Sequence, residues 1–210
     1  MKTIALFLLA ASFQCCFGQT DSSVLAVGDW SPVVNDCQHA LRGRLVICDD
    51  NGPSAANHAR VYLELRHVFH GAWEAPLKIF YKIGMNDGDL RFEMRDQAGH
   101  PIPQTPIAIR GPMPSPCWIT LPCDATMRLR ADEYLLGPAN KPDGLEILAG
   151  GCWIIPNNTT NSYMLSATFA TPKEELSRTN RDDWQGTLTL PKVKIPPKGP
   201  KPEPVAEAAP

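Results

Sequence analysis

The sequence predicts an all-β chain, an antiparallel β-sandwich of about seven to nine short strands. Three observations carry this expectation. Apolar residues recur at every second position in several separate segments. Clusters of turn-forming residues stand between those segments. The 21 prolines of the 210-residue chain forbid long helices and keep strands short.

Residues 1–18 read as a cleavable secretory signal. Lys2 supplies the positive start, Ile4 to Ala11 form a short apolar run, and Gly18 offers a small residue for cleavage. The run is far below the roughly 20 apolar residues a spanning helix needs, and no second such stretch follows. The expected product is secreted or periplasmic, with no integral membrane segment. Lipid anchoring through Cys15 or Cys16 is the minority alternative, because Phe13 and Gln14 are poor lipoprotein-signal residues.

Residues 19–40 are a polar, weakly patterned lead-in, and residues 41–196 hold the strands. Val61, Leu63 and Leu65 alternate with Tyr62, Glu64 and Arg66. Leu90, Phe92 and Met94 alternate with Arg91, Glu93 and Arg95, and Met127, Leu129 and Ala131 with Arg128, Arg130 and Asp132. Tyr163, Leu165, Ala167 and Phe169 form a fourth series, Leu188 and Leu190 a fifth. Alternation of this kind buries one face of a strand and wets the other. Shorter candidates lie at 45–48, 77–83, 107–109, 118–121 and 152–155. Asp49 to Gly52, Asn86 to Gly88, Gln97 to Gly99 and Asn140 to Gly144 supply the turns. Residues 197–210, rich in proline and nearly devoid of large apolar side chains, form a tail expected to be disordered.

Five cysteines remain once the signal is removed, and an oxidising compartment favours pairing them. Cys37 and Cys48 are equidistant from Arg42-Gly43, so a two-residue turn there would set them opposite each other in a hairpin. Cys117 and Cys123 bracket an extended segment and are too far apart to join, which leaves Cys152 for one of them, with Cys123 favoured. Buried free thiols are the alternative.

The formal charge of -2 offers no overall attraction to nucleic acid or anionic membranes, and 8% aromatic residues advertise no extended stacking platform. No catalytic residue is assigned. There is no G-x-S-x-G elbow, and Ser115 stands between two prolines. Cys48 follows an apolar strand and precedes two aspartates, a setting that raises a thiol pKa. No metal site is assigned either. His67 and His70 are expected to face solvent and a loop, with zinc ligation the alternative. Asn86 to Asp89 (NDGD) could hold calcium, yet the same residues make an ordinary turn, so no cofactor is expected. Trp118 and Trp153 read as core aromatics, while Trp30, Trp73 and Trp184 read as caps at a sandwich edge or ligand-stacking rings.

The order of segments VYLELRHV, LRFEMRDQAGHPIP, WITLPCDATMRLRA, GGCWIIP, YMLSATF and DWQGTLTLPKVKIP resembles the immunoglobulin-like domains of uncharacterised secreted bacterial proteins. It also has some likeness to proteinase-inhibitor-like sandwiches. The resemblance implies an immunoglobulin-like fold, and a bacterial source would make Asn157 to Thr160 a polar loop rather than a glycan acceptor. The expected function is a non-catalytic interaction or structural module of the envelope or extracellular space, whose partner is a protein or a surface glycan. An inhibitor-like binder would use an exposed proline-rich loop, with Pro103, Pro106, Pro114 and Ser115 as candidates. A secreted hydrolase using a carboxylate pair is the alternative from another class.

Overall fold

The computed structural model describes residues 23–35, 40–49, 58–68, 76–81, 90–104, 117–135, 144–147, 151–154, 162–171 and 183–195. Within them the chain is all-β. Twelve strands run in order: β1 (Val24–Val27), β2 (Val34–Asn35), β3 (Ala40–Asp49), β4 (His58–Val68), β5 (Leu77–Tyr81) and β6 (Leu90–Arg95). They continue as β7 (Cys117–Leu121), β8 (Thr126–Leu135), β9 (Gly144–Ile147), β10 (Gly151–Ile154), β11 (Met164–Ala170) and β12 (Thr187–Lys194).

Every strand pair is antiparallel. The largest sheet has the order β1-β3-β4-β8, with β2 also on β3. A three-stranded sheet has the order β12-β11-β6, and two ribbons are formed by β5-β7 and β10-β9. The stretch read as a weakly patterned lead-in thus contributes β1 and β2. Their signal was too short to register as alternation.

Alternation places the core where the residues suggested. Val61, Leu63 and Leu65 of β4 are buried, as are Leu165, Ala167 and Phe169 of β11 and Leu188 and Leu190 of β12. Phe92, Met127 and Leu129 are partly buried and pack against the same cluster. That cluster also takes in Leu77, Ile79 and Tyr81 of β5, Leu121 of β7 and Trp153 of β10, so all four sheets close on one interior.

Irregularities preserve the inward parity. In β12, Leu190 is opposite Ala167 and Val193 opposite Leu165, so Pro191 and Lys192 share the place facing Ser166. The bulge absorbs a proline that would break a regular ladder and turns Val193 back inward. A second bulge sets Val61 opposite Asp132 but Tyr62 opposite Arg130.

Gly43 lies where the large sheet meets β12. A Cβ there would stand 2.8 Å from Leu190 Cδ2 and 3.2 Å from Leu65 Cδ2. The missing side chain is what lets Leu190 approach the backbone of β3.

The turn expected at Gln97 to Gly99 is formed. Asp96 accepts from the backbone N–H of Gly99 through its carbonyl (3.0 Å) and from that of His100 through Oδ1 (2.8 Å). Gly99 supplies φ = 89° in the same turn. Between β7 and β8, Ala125 N–H donates to Pro122 O and Asp124 takes φ = 54°, a conformation aspartate tolerates. Just after β11, Thr171 N–H donates to Gly186 O and Thr171 Oγ1 donates to Trp184 O.

The structure corrects four expectations. No turn exists at Arg42-Gly43: both lie inside the ten-residue β3, because the segment has no turn-forming pair and its alternation continues through Leu41, Leu45 and Ile47. The proposed Cys37–Cys48 hairpin is therefore not formed. His67 does not face solvent; it is 3% exposed, because β4 runs on to Val68 and keeps His67 on the side of Leu63 and Leu65. Trp184 is not a rim residue but is fully buried, stacked on Phe169 with centroids 5.7 Å apart and planes at 6°. Trp118, expected inside, is 44% exposed and meets Phe80 edge-on at 5.2 Å, because the two-stranded β5-β7 ribbon leaves that face uncovered.

Candidate binding face on the large sheet

The same period of two that fills the interior lines up a second set of residues on the opposite face of β3, β4 and β8. On β3 these are Arg42, Arg44, Val46 and Cys48; on β4, Arg60, Tyr62, Glu64 and Arg66; on β8, Thr126, Arg128 and Arg130. Register decides who meets whom. Arg44 is opposite Glu64, which is opposite Arg128. Arg42 is opposite Arg66, which is opposite Thr126. Six arginines thus share one face with Glu64.

Glu64 organises the centre. It is 5% exposed, and both its oxygens are engaged. Arg44 Nε donates to Oε2 at 2.6 Å; Arg128 donates to Oε1 from Nε at 2.8 Å and from Nη2 at 2.6 Å. Burying a carboxylate is costly unless it is paired and hydrogen-bonded, and two guanidinium groups meet that requirement. Burial alone would lower the pKa of Arg128, but the hydrogen bonds and charge of Glu64 outweigh it and raise the value. The triad carries one net positive charge.

Trp30 is placed over this face by backbone bonds. Gly28 N–H donates to Leu45 O, Ser31 N–H donates to Gly43 O, and Gly43 N–H donates to Ser31 Oγ at 3.0 Å. Residues 28–31 therefore follow β3 past the end of β1, and the indole ring lies beneath two guanidinium groups. Arg44 Cζ is 4.4 Å and Arg42 Cζ 4.8 Å from its centroid. Arg128 lies 5.7 Å from the Tyr62 ring. These cation–π contacts hold arginine heads in fixed positions.

Cys48 is buried beside the triad, with Arg128 Nη1 3.8 Å from its sulfur. Burial pushes its thiol pKa up, with Glu64 adding to the rise and Arg128 opposing it. The direction matches the sequence expectation, although burial is the leading cause rather than the neighbouring aspartates. No disulfide is seen at Cys48 or Cys123, the cysteines whose side chains are described. Cys123 sits in the turn after β7, and Cys152 lies in β10 opposite Glu146. Cys37 is outside the described residues.

Of the loop candidates, Pro103 is exposed, just beyond the bridge between Arg95 and Pro101. Pro106, Pro114, Ser115 and the Asn86–Asp89 segment lie outside the described residues, as do 1–22, Trp73, His70, 107–109 and the tail from 196. No described helix is long and apolar enough to cross a membrane.

The arginine face was not recognised from sequence, although its members were visible as the polar partners of each alternating run. Averaging the charge over the chain hid them. Searches among protein-family models, curated proteins and solved structures find no match to this chain.

Proposed function

We propose that this chain is a secreted, non-catalytic β-sandwich module with an immunoglobulin-like arrangement, which binds a partner in the cell envelope or extracellular space. The observation that supports this reading is the arginine-rich outer face of β3, β4 and β8. Arg42 and Arg66 stand directly opposite each other on this face, and like charges at cross-strand distance repel, which makes it a costly surface for a fold to keep. Binding of a complementary partner offsets that cost.

The hydrolase alternative draws little from the same face. Its buried carboxylate, Glu64, has both oxygens held by Arg44 and Arg128, so neither can reach a scissile bond.

Capture of labelled protein by envelope or matrix material from the producing organism tests the reading. The comparison is between wild type, the triple variant Arg60→Glu, Arg66→Glu, Arg130→Glu, and Arg91→Glu on the β6 sheet. The expected result is a loss of at least about tenfold in the triple variant and little change in Arg91→Glu. Equal capture of all three proteins would discard the face as a binding surface.

A further inference from the structure

The six arginines are not equivalent. Arg44 and Arg128 share Glu64, whereas Arg42 and Arg66 stand directly opposite each other across β3 and β4. Neither forms an ion pair with a described residue. Arg42 Nε is buried from solvent and has no hydrogen-bond partner among the described residues. Its guanidinium is nevertheless held in place over Trp30. Among the described residues, these two opposed cations, one with an orphaned donor and a fixed head, have no anion between them.

We infer that Arg42 and Arg66 form an oxyanion site, and that its occupant is a carboxylate or sulfate group of an anionic polysaccharide. This inference rests on the binding-module reading above. An oxyanion between the two strands accepts from both guanidinium forks and relieves their repulsion. The Glu64 triad beside it adds positive charge. The polymer follows from the layout: arginine positions recur about 7 Å apart along β3 and β8, and neighbouring strands lie about 5 Å apart, a flat lattice suited to regularly repeated charge. Nucleic acid fits less well. The rings on this face, Trp30 and Tyr62, already lie against arginine heads and offer no open surface for bases.

Calorimetric binding of the intact chain tests the site, at constant ionic strength. The probes are heparin (sulfated), polygalacturonate (carboxylated), neutral dextran, double-stranded DNA and polyglutamate. The proteins are wild type, Arg42→Gln, Arg66→Gln and Arg91→Gln. Wild type should bind at least one anionic polysaccharide more tightly than DNA or polyglutamate, and should leave dextran unbound. Arg42→Gln and Arg66→Gln should each weaken that binding by about tenfold or more, and Arg91→Gln by less than about twofold. Repeated across a salt series, the titrations should show each productive substitution reducing the salt dependence by about one ion.

Without ligand, either substitution removes a like-charge neighbour. The melting temperature should therefore hold or rise by about 1–3 °C. A loss of binding as large in Arg91→Gln, or DNA or polyglutamate bound as tightly as the polysaccharides, overturns the inference. So does a fall in melting temperature for both glutamine variants, which would mark the pair as structural. If the polysaccharides fail while the charge-reversed face still loses envelope capture, the oxyanion site is wrong and the module reading stands. If envelope capture is also insensitive, both fall.

Discussion

The two faces of β3, β4 and β8 are built from alternate residues of the same three segments, yet they are held by different physics. Leu45, Leu63 and Leu65 point into a dry interior where contact area is what counts. Arg44, Glu64 and Arg128 point the other way, where charge pairing and hydrogen-bond geometry decide the arrangement. A single-residue slip in register would exchange the two sets, so the apolar face also fixes the position of every arginine. The core and the arginine face are thereby coupled through one alternation, and substitutions can separate them.

The largest expected effect lies on the inner side. Trp184 stacks on Phe169, its backbone N–H donates to Lys78 O, and its carbonyl accepts from Thr171 Oγ1, so it ties the β5 ribbon to the β11 sheet. Trp184→Ala removes a fully buried indole and should cost about 3–5 kcal/mol, read as the free energy of denaturant unfolding. Trp118→Ala, on an exposed ring, should cost less than about 1 kcal/mol. Similar losses at the two positions would show that the Phe169 stack is not central to the core.

On the outer side the strongest perturbation is at Glu64. Glu64→Gln retains the shape but removes the charge that Arg44 and Arg128 share, and it places donors beside donors. The expected loss is about 2–3 kcal/mol, less than for Trp184→Ala because both arginines reach solvent. A double-mutant cycle with Arg128→Gln measures the pairing directly, and a coupling near zero would mean the triad contributes geometry alone.

Gly43 joins the two sides, because its backbone pairs with Ser31 and Glu64 flanks its partner Leu65 while a Cβ at its position would stand 2.8 Å from Leu190 Cδ2. Gly43→Ala drives a methyl into Leu190 Cδ2, which is buried and cannot swing freely. The expected cost is about 1–2 kcal/mol, with a companion Leu190→Val recovering part of it. No recovery in the double variant would locate the strain elsewhere in β3.

How much of this was legible beforehand depended on which property each residue expressed locally. Val61 to Leu65 and Leu165 to Phe169 announced their strands because alternation is a property of five or six consecutive residues. β1, β2 and β9 carry only two to four residues each and owe their extension to the strands they pair with, which no local pattern encodes. His67 shows a subtler failure. Its parity with Leu63 and Leu65 placed it inside, but its polarity suggested a strand end, and the period was the better guide. Trp118 and Trp184 were exchanged because indole burial depends on how many sheets cover a strand. The arginine face required pairing: Arg42 and Arg66 are 24 positions apart, and only the β3–β4 register sets them opposite each other.

The smallest expected effect tests whether Cys48 belongs to the wet face by position or to the dry interior by environment. It shares its side of β3 with Arg42 and Arg44, yet it is buried and its thiol pKa is raised above the ordinary 9.0, with burial as the leading cause. A raised value means the folded chain keeps the proton after the unfolded chain has lost it. The contribution is complete below the unfolded pKa and declines as pH rises from there through the folded value. Wild type should therefore lose stability slightly faster than Cys48→Ala between about pH 8 and pH 10, compared by denaturant midpoints. The folded thiol should also react with iodoacetamide far more slowly than the same residue in denaturant. Identical pH slopes together with rapid labelling would place Cys48 with the solvated arginines, and burial would then not govern its chemistry.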